Sequence, residues 1–342
     1  MCSAPKANAA RASWRVSLAK VLITGITGFI GRAVLEGILP LGHDIHAVIR
    51  PGTSPERRVG LERKVNIKEL DLADTAGLRD YLAAADFDVL IHIGALRGGR
   101  KATRDNYYRS NVSSTEQMVD YCLKHNARLI FCSSVGVFGA IPNELPANAQ
   151  TTRNPDNYYH YTKIEAEKVI GKAILHGLHA AIIRPSITYG TKDKGFPYQL
   201  VKMVDKYQFP LINKRIWLHL CHIEALVEAF KWCLQHDFQT GLAWNVADRE
   251  PVQLHALVNF ISRQLHGKNY PAILSVDRFF FSLGESLSRK MKNELFISRF
   301  ELISKSWFYD VQQYYATMET LGIKPHYTIP DIRITIDDYR RN

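Results

Sequence analysis

Apolar residues along this chain follow two different periods, and the two alternate. From Lys20 onward, short runs with almost no polar interruption are separated by longer stretches in which apolar residues recur every three or four positions. The first kind reads as buried strands and the second as amphipathic helices laid on a sheet. On this basis Lys20–Thr24, Asp44–Ile49, Val65–Leu70, Asp88–His92, Arg128–Ser133, Ala180–Arg184 and Leu242–Val246 are predicted strands. Phe29–Leu39, Asn106–His125, Asn157–His176 and Ile223–Gln235 are predicted helices. Such alternation implies an α/β fold with a doubly wound parallel sheet covered on both faces. After Pro185 the rhythm breaks: 192–215 carries loop signals and a short helix, and 268–330 is aromatic, basic and irregular. The expected organisation is a flexible tail over 1–19, a sheet domain from 20–190 plus 218–262, and a smaller cap from 191–217 plus 263–342.

The first strand runs directly into Thr24–Gly31, with glycines at 25, 28 and 31, and a helix follows. A tight turn out of a strand needs one glycine, close approach of backbone to a pyrophosphate needs a second, and helix-to-sheet packing needs the third. The helix start then offers unpaired N–H groups and a positive dipole end to phosphate. Gly25, Thr27, Gly28, Phe29, Ile30 and Gly31 are therefore expected to hold a dinucleotide. An acidic residue at the end of the second strand would favour NAD, but that strand ends in Arg50, with Arg57 and Arg58 nearby, and Asp44 lies at its far end. Arginine there suits the extra phosphate of NADP. NADP is the preferred cofactor and NAD a possible one; the alternative for Arg50 is a solvated surface side chain.

Tyr159 and Lys163 are four residues apart, on one face of a predicted helix. A cation beside a phenol favours the phenolate, so Tyr159 is expected to act as acid or base below the ordinary tyrosine range. Tyr198 and Lys202 share the spacing. Placement separates them, because Tyr159 opens a helix after a strand that ends in Ser133 and Ser134, at the sheet edge where open parallel sheets bind ligands. Ser134 is thus a candidate donor to the substrate oxygen that Tyr159 protonates. Turn chemistry is the alternative use of a serine pair.

Taken in order, Thr24–Gly31, Asp71 with Leu72, His92–Ala95, Asn111 with Thr115, Ser133–Gly139, Tyr159–Lys163, Arg184 with Pro185, Tyr189 with Gly190, and Leu321–Pro325 resemble the extended short-chain dehydrogenase/reductase superfamily. The resemblance covers about residues 20–340 and leans toward the dihydroflavonol-reductase and 3-beta-hydroxysteroid-dehydrogenase branch. It implies a Rossmann-type doubly wound sheet with a smaller C-terminal α/β substrate cap. It implies Tyr159 as proton donor or acceptor, Lys163 on the nicotinamide ribose, Ser134 orienting substrate and Asn111 supporting the site. The superfamily's serine lies five residues before the glycine matching Gly139, which selects Ser134 over Ser133. Asp71, Leu72, Ile93, Gly94, Ala95, Arg184 and Pro185 would line the cofactor, with Asp71 at its adenine end. Phe138 stands where many relatives have tyrosine, and Glu224 with Ala225 stands for an Asp-Asp pair at a helix start, which weakens a cap. Nucleotide-sugar dehydratases carry an acidic pair just after the serine; Val135 and Gly136 here argue against dehydration. By the same analogy helices 106–125 and 157–176 pair across a two-fold axis, so a homodimer is expected.

Formal net charge is +11, yet no block of five or six cations appears, and no nucleic-acid module accompanies it. The expected partner is a small-molecule substrate, with no nucleic acid. No apolar run is long enough for a membrane span. The five cysteines, odd in number and mostly within apolar patterns, read as free thiols in a reducing, cytoplasmic setting. His219, Cys221 and His222 lack a second ligand cluster with zinc-like spacing, so no metal site is expected. Three functions follow. The first is a reductase or dehydrogenase, favoured by Arg50 and by the C-terminal likeness that starts at Leu287–Arg289. The second is a nucleotide-sugar epimerase with retained NAD, for which Lys214 and Arg215 would meet a diphosphate. The third is a non-catalytic dinucleotide sensor, against which Tyr159 and Lys163 both speak.

Overall fold

Strands whose side chains are apolar on both faces must be covered on both faces. β1 (Lys20–Thr24) leads into α1 (Phe29–Ile38), β2 (Asp44–Ile49), β3 (Asn66–Glu69), α2 (Thr75–Ala83) and β4 (Val89–His92). There follow α3 (Ser114–His125), β5 (Arg128–Cys132), α4 (Tyr158–Ile174), β6 (His179–Pro185), α5 (Phe196–Asp205) and α6 (Ile223–Gln235). β7 (Leu242–Val246), α7 (Leu254–His266), α8 (Gln312–Thr320) and α9 (Arg333–Arg341) complete the main elements. This computed structural model describes residues 18–97, 102–271, 275–276 and 301–342. Most of the expected tail, and Leu287–Arg289, lie outside the described residues.

The sheet has seven parallel strands in the order β7-β6-β5-β4-β1-β2-β3. Its period-2 alternation divides the core. Val21 and Ile23 join Ile130 and Ile183 under α1 and α6, whereas Leu22 joins Leu90, Leu129 and Phe131 under α2, α3 and α4. A third apolar cluster joins α5, α7 and α9 through Leu200, Val204, Leu257, Ile261, Ile332 and Ile336, with Trp307 and Tyr309. The strand order reverses between β1 and β4, where Thr24 pairs with His92. A crevice at the carboxyl ends of these two strands is the binding position of an open α/β sheet.

Besides α7, α8 and α9, which the hydrophobic pattern does not predict, two further features depart from it. α2 is absent from it, having only Leu78 and Leu82 buried, and is started by Asp74, whose Oδ1 accepts from Gly77 N at 3.1 Å. The predicted helix 106–125 is broken: Arg104–Tyr108 is α-helical, Arg109–Ser113 is a π-helical turn, and α3 begins at Ser114. Such a turn marks a place where side-chain geometry outweighs regular pairing, and Asn111 sits inside it.

Candidate active site

The glycine loop is built for a close-lying ligand. Gly25 has φ +80°, and a Cβ there would come within 2.7 Å of Gly94 N. A Cβ on Gly31 would lie 2.2 Å from Gly25 O, and one on Gly94 would lie 2.7 Å from Leu72. The loops after β1 and β4 therefore touch backbone to backbone, with Ile93 and Ala95 half-buried beside them. Gly28 is the outward-facing member: its N–H turns back to Gly25 O at 3.0 Å, and a Cβ there would meet only that oxygen, at 3.3 Å. α1 starts at Phe29 with no side-chain cap and no acidic residue in its first turn. Its first N–H groups are left for an outside acceptor, which is what a pyrophosphate requires. These residues fit a dinucleotide. Thr27, Phe29 and Ile30 are half-buried in the same loop.

Polar side chains lock the crevice floor. Thr24 Oγ1 accepts from Gly94 N at 2.9 Å and meets His92 Nδ1 at 2.8 Å, while Ser114 Oγ lies 3.4 Å from the other ring nitrogen. Burial, with the charge of Lys163 adding to it, pushes His92 down to about 3, so it stays neutral. Asn111 is buried and fully bonded: Oδ1 accepts from Leu96 N at 2.7 Å, and Nδ2 donates to Leu96 O at 3.0 Å and to Thr162 Oγ1 at 2.9 Å. Thr162 Oγ1 donates in turn to Tyr159 O at 2.7 Å. Asn111 thus ties the loop after β4 to the helix turn that bears Tyr159.

The two serines divide the work. Ser133 is buried, and its hydroxyl donates to Glu167 Oε1 at 2.6 Å. Ser134 is half-buried and caps the short turn Val135–Phe138, where its Oγ accepts from Gly136 N at 3.0 Å. Accepting leaves its O–H free to donate. Tyr159 opens α4, whose cap is Asn157: Oδ1 accepts from His160 N at 2.9 Å. The expected depression of Tyr159 is not found. Burial pushes its phenol well above the usual range, while the charge of Arg97 and hydrogen bonding with Ser134 pull the other way. Lys163 instead donates to Cys132 O at 2.7 Å, with its Nζ 4.7 Å from the centre of the Phe131 ring. Burial drives this ammonium down to about 8.

Arg184 reaches Glu167 with two parallel bonds, Nε to Oε1 at 2.7 Å and a terminal nitrogen to Oε2 at 2.8 Å. With Ser133 this pins β5, β6 and α4 together, so the Arg184 side chain is committed inside the protein; Pro185 is buried beside it. Arg50 is exposed at the end of β2 and makes no ion pair with a described residue, whereas Arg58 is held by Glu62 and Glu69. Asp71 turns inward to its own loop, where Oδ1 accepts from Ala73 N at 2.9 Å. Tyr198 lies in α5 against Tyr339, and Lys202 is exposed, which separates that pair from the sheet edge.

His219 and His222 serve packing. His219 Nε2 bonds Asp248 O at 2.7 Å, and His222 caps α6. The weak cap expected from Glu224 is compensated by Asp248, whose Oδ1 accepts from His222 N at 2.8 Å. His222 also lies within ligand distance of Glu224 and His326, but its ring is stacked on His326 at 4.2 Å. Sequence reasoning passed over Asp248, a buried acceptor for Tyr189 and Thr328, and the Asp156–His160 pair beside Tyr159.

Comparison with known proteins bears on the family and the fold. A ketoreductase of Stigmatella aurantiaca, acting on a 4-hydroxy-2-methyl-3-oxo-4-farnesyl-3,4-dihydroquinoline-1-oxide, is 23% identical over 71% of this chain and 72% of its own. The UDP-glucose 4-epimerase of Caenorhabditis elegans is 28% identical over 54% of this chain and 61% of its own. The crystal structure of Bordetella bronchiseptica WbmG with NAD and UDP superposes with a TM-score of 0.73 at 16% identity, covering 95% of this chain and 96% of that one. The model of the NAD dependent epimerase/dehydratase family matches residues 21–247. With a seven-stranded Rossmann-type sheet and that match, this chain is an enzyme of the extended short-chain dehydrogenase/reductase type and belongs to the NAD-dependent epimerase/dehydratase family.

Proposed function

We propose that this enzyme is a reductase or dehydrogenase that interconverts a carbonyl and a secondary alcohol, using NADP in preference to NAD. The observation that carries the reading is the placement of the half-buried Tyr159 phenol, hydrogen-bonded with Ser134, at the sheet edge next to the glycine cradle, in surroundings that favour its protonated form. A protonated phenol is a proton donor, and carbonyl reduction needs one at the carbonyl oxygen. Ser134 donates a hydrogen bond to that oxygen, and Tyr159 gives it a proton. Lys163, fixed by Cys132 O, supplies the positive charge that steadies the phenolate left behind. Hydride transfer is the chemistry that a nicotinamide supplies when bound. Asn111 keeps the loop and the helix in register. The C-terminal segment and cap hold the substrate. The ketoreductase relative, matched over 71% of this chain, supports the same reading.

Arg50, exposed and without an ion-pair partner among the described residues, supports NADP. Exposed Leu123 and Tyr161, on α3 and α4, support a homodimer through those helices. A cytoplasmic location accords with buried free thiols at Cys122, Cys132, Cys221 and Cys233.

A second reading, a nucleotide-sugar epimerase with permanently held NAD, is favoured by the epimerase relatives and by Lys214 and Arg215, exposed together in the cap. Native mass spectrometry of protein purified without added cofactor separates the two. Dinucleotide-free protein that binds NADPH more tightly than NADH, and then reduces ketones or aldehydes, supports the reductase. NAD retained near one per subunit overturns it in favour of the epimerase.

A further inference from the structure

The sequence places His219, Cys221 and His222 together but supplies no second group of ligands nearby. The fold brings one from the far end of the chain. His222 and Glu224 stand at the start of α6, and His326 lies between α8 and α9. One donor atom from each side chain, two imidazole nitrogens and a carboxylate oxygen, lie within 4.8 Å of one another. None of the three belongs to the glycine loop, and none is Ser134, Tyr159 or Lys163.

Their hydrogen bonds leave these donors in the state that a metal ion requires. Asp331 Oδ2 accepts from Tyr327 N at 3.1 Å and is bonded to His326 Nδ1 at 2.9 Å. An ionised carboxylate only accepts, so Nδ1 carries the hydrogen and Nε2 the lone pair. A carboxylate behind the outer nitrogen of a histidine is the usual support of a metal ligand. His326 Nε2 lies 3.7 Å from Glu224 Oε2. That is too long for a hydrogen bond, and near the ~3.3 Å between two donors on a tetrahedral ion with bonds of about 2.0–2.1 Å. On His222 the cap bond runs from Glu224 N to Nδ1, so that nitrogen also carries a lone pair, and at 3.4 Å the bond is weak. Stacking of His222 on His326 covers ring faces, not the edges where the lone pairs lie. Both histidine backbones are anchored: His222 N donates to Asp248 Oδ1 at 2.8 Å, and His326 O accepts from Arg249 N at 2.8 Å. Closing on an ion therefore falls to a turn of the His222 ring and to Glu224, whose side chain is 67% exposed.

We infer that His222, Glu224 and His326 form a zinc site that fastens the C-terminal segment to the start of α6. Two imidazoles and one carboxylate suit Zn²⁺, whereas Mg²⁺ and Ca²⁺ take oxygen ligands. Three protein ligands leave a fourth position for water, on the solvent side where Glu224 is exposed. The carboxylates of Glu224 and Asp331 offset the double charge of the ion. The ion ties α6, which packs under the sheet, to the segment that leads into α9. Its role is structural. It carries no step of hydride chemistry, so the inference stands equally for a reductase and for an epimerase.

The test uses the full chain without a histidine tag, stripped with a chelator, as wild type, E224Q, H326Q and D331N. Circular dichroism checks that each is folded, and three variants keep the test readable if one is not. Co²⁺, whose visible absorption reports its ligands, is titrated first and then displaced with Zn²⁺. Wild type should bind one equivalent, with the absorption of nitrogen and oxygen ligands and no thiolate band. Affinity should fall at least tenfold in E224Q and H326Q, and about 10–100-fold in D331N, where only the support of His326 is lost. Zn²⁺ at about a hundredfold excess over its Kd should raise the melting temperature of wild type by about 5 °C, and that of E224Q by less than about 1 °C. Wild type that binds neither ion up to about 1 mM would overturn the inference, and so would affinity unchanged in both E224Q and H326Q. The three residues would then be a helix cap and an exposed ion pair only. A thiolate band would place the ion on a cysteine and overturn it as well.

Discussion

Lys163 gives the sharpest quantitative test, because its charge is needed for function and opposed by its surroundings. The ammonium is buried, and burial lowers it from the ordinary 10.5 to about 8. At about 1.4 kcal/mol per pH unit, holding the charge inside the fold at pH 7 costs about 3 kcal/mol relative to a neutral group of the same shape. Lys163→Met removes that cost. It also removes the donor to Cys132 O, and an unpaired buried carbonyl costs about 1–3 kcal/mol. The two nearly cancel at pH 7, so a substitution that abolishes catalysis should leave stability unchanged or slightly improved. The pH dependence separates the terms. Between about pH 8 and pH 10.5 the unfolded chain keeps the Lys163 proton while the folded protein sheds it, so wild-type stability rises through this window. Lys163→Met lacks that rise. Urea unfolding followed by tryptophan fluorescence, on both proteins at pH 7 and pH 10, should show wild type gaining about 3 kcal/mol on the variant; titrations common to both cancel. A stability difference that stays constant with pH would refute the assignment of Lys163 as a buried, destabilised cation.

Other consequences follow from the same geometry. Gly31→Ala places a methyl 2.2 Å from Gly25 O and should cost about 1–3 kcal/mol by denaturant unfolding while weakening dinucleotide binding at least tenfold by calorimetry. Arg50→Ser should weaken NADPH about tenfold and leave NADH nearly unchanged in the same assay, since only the extra phosphate loses a partner. Glu167→Gln leaves Arg184 charged and under-paired in the interior; a loss of about 3–5 kcal/mol in unfolding free energy is expected, against little change if the pair were solvated. Asp248 is buried and raised to about 6, so its folded form holds a proton that the unfolded chain has released above about pH 4. Wild type should therefore lose stability relative to Asp248→Asn, by about 2 kcal/mol, as pH rises from 4 to 6.5; parallel curves would exclude a raised carboxyl.

What the sequence made legible is set by the range of the interactions involved. The strands were readable because parallel strands covered on both faces leave little room for polar residues, and Leu22 and Ile23 do point to opposite cores. The glycine loop was readable because strand, turn and helix are consecutive, so backbone crowding at Gly25 and Gly31 is mostly local. α2 was hidden because Gly77 interrupts an already thin apolar stripe; the signal was Asp74, a helix-starting residue three places before the N–H it receives. The π-helical turn was hidden for a different reason: Asn111 is bonded to Leu96 and Thr162, and neither contact has a local spacing. The same distinction decides the chemistry. Four-residue spacing correctly put Tyr159 and Lys163 on one helix, yet the sign of the tyrosine's shift came out reversed, because burial depends on β5 and its loop and not on the helix alone. Spacing locates catalytic groups; which proton each one carries is a property of the packing around it.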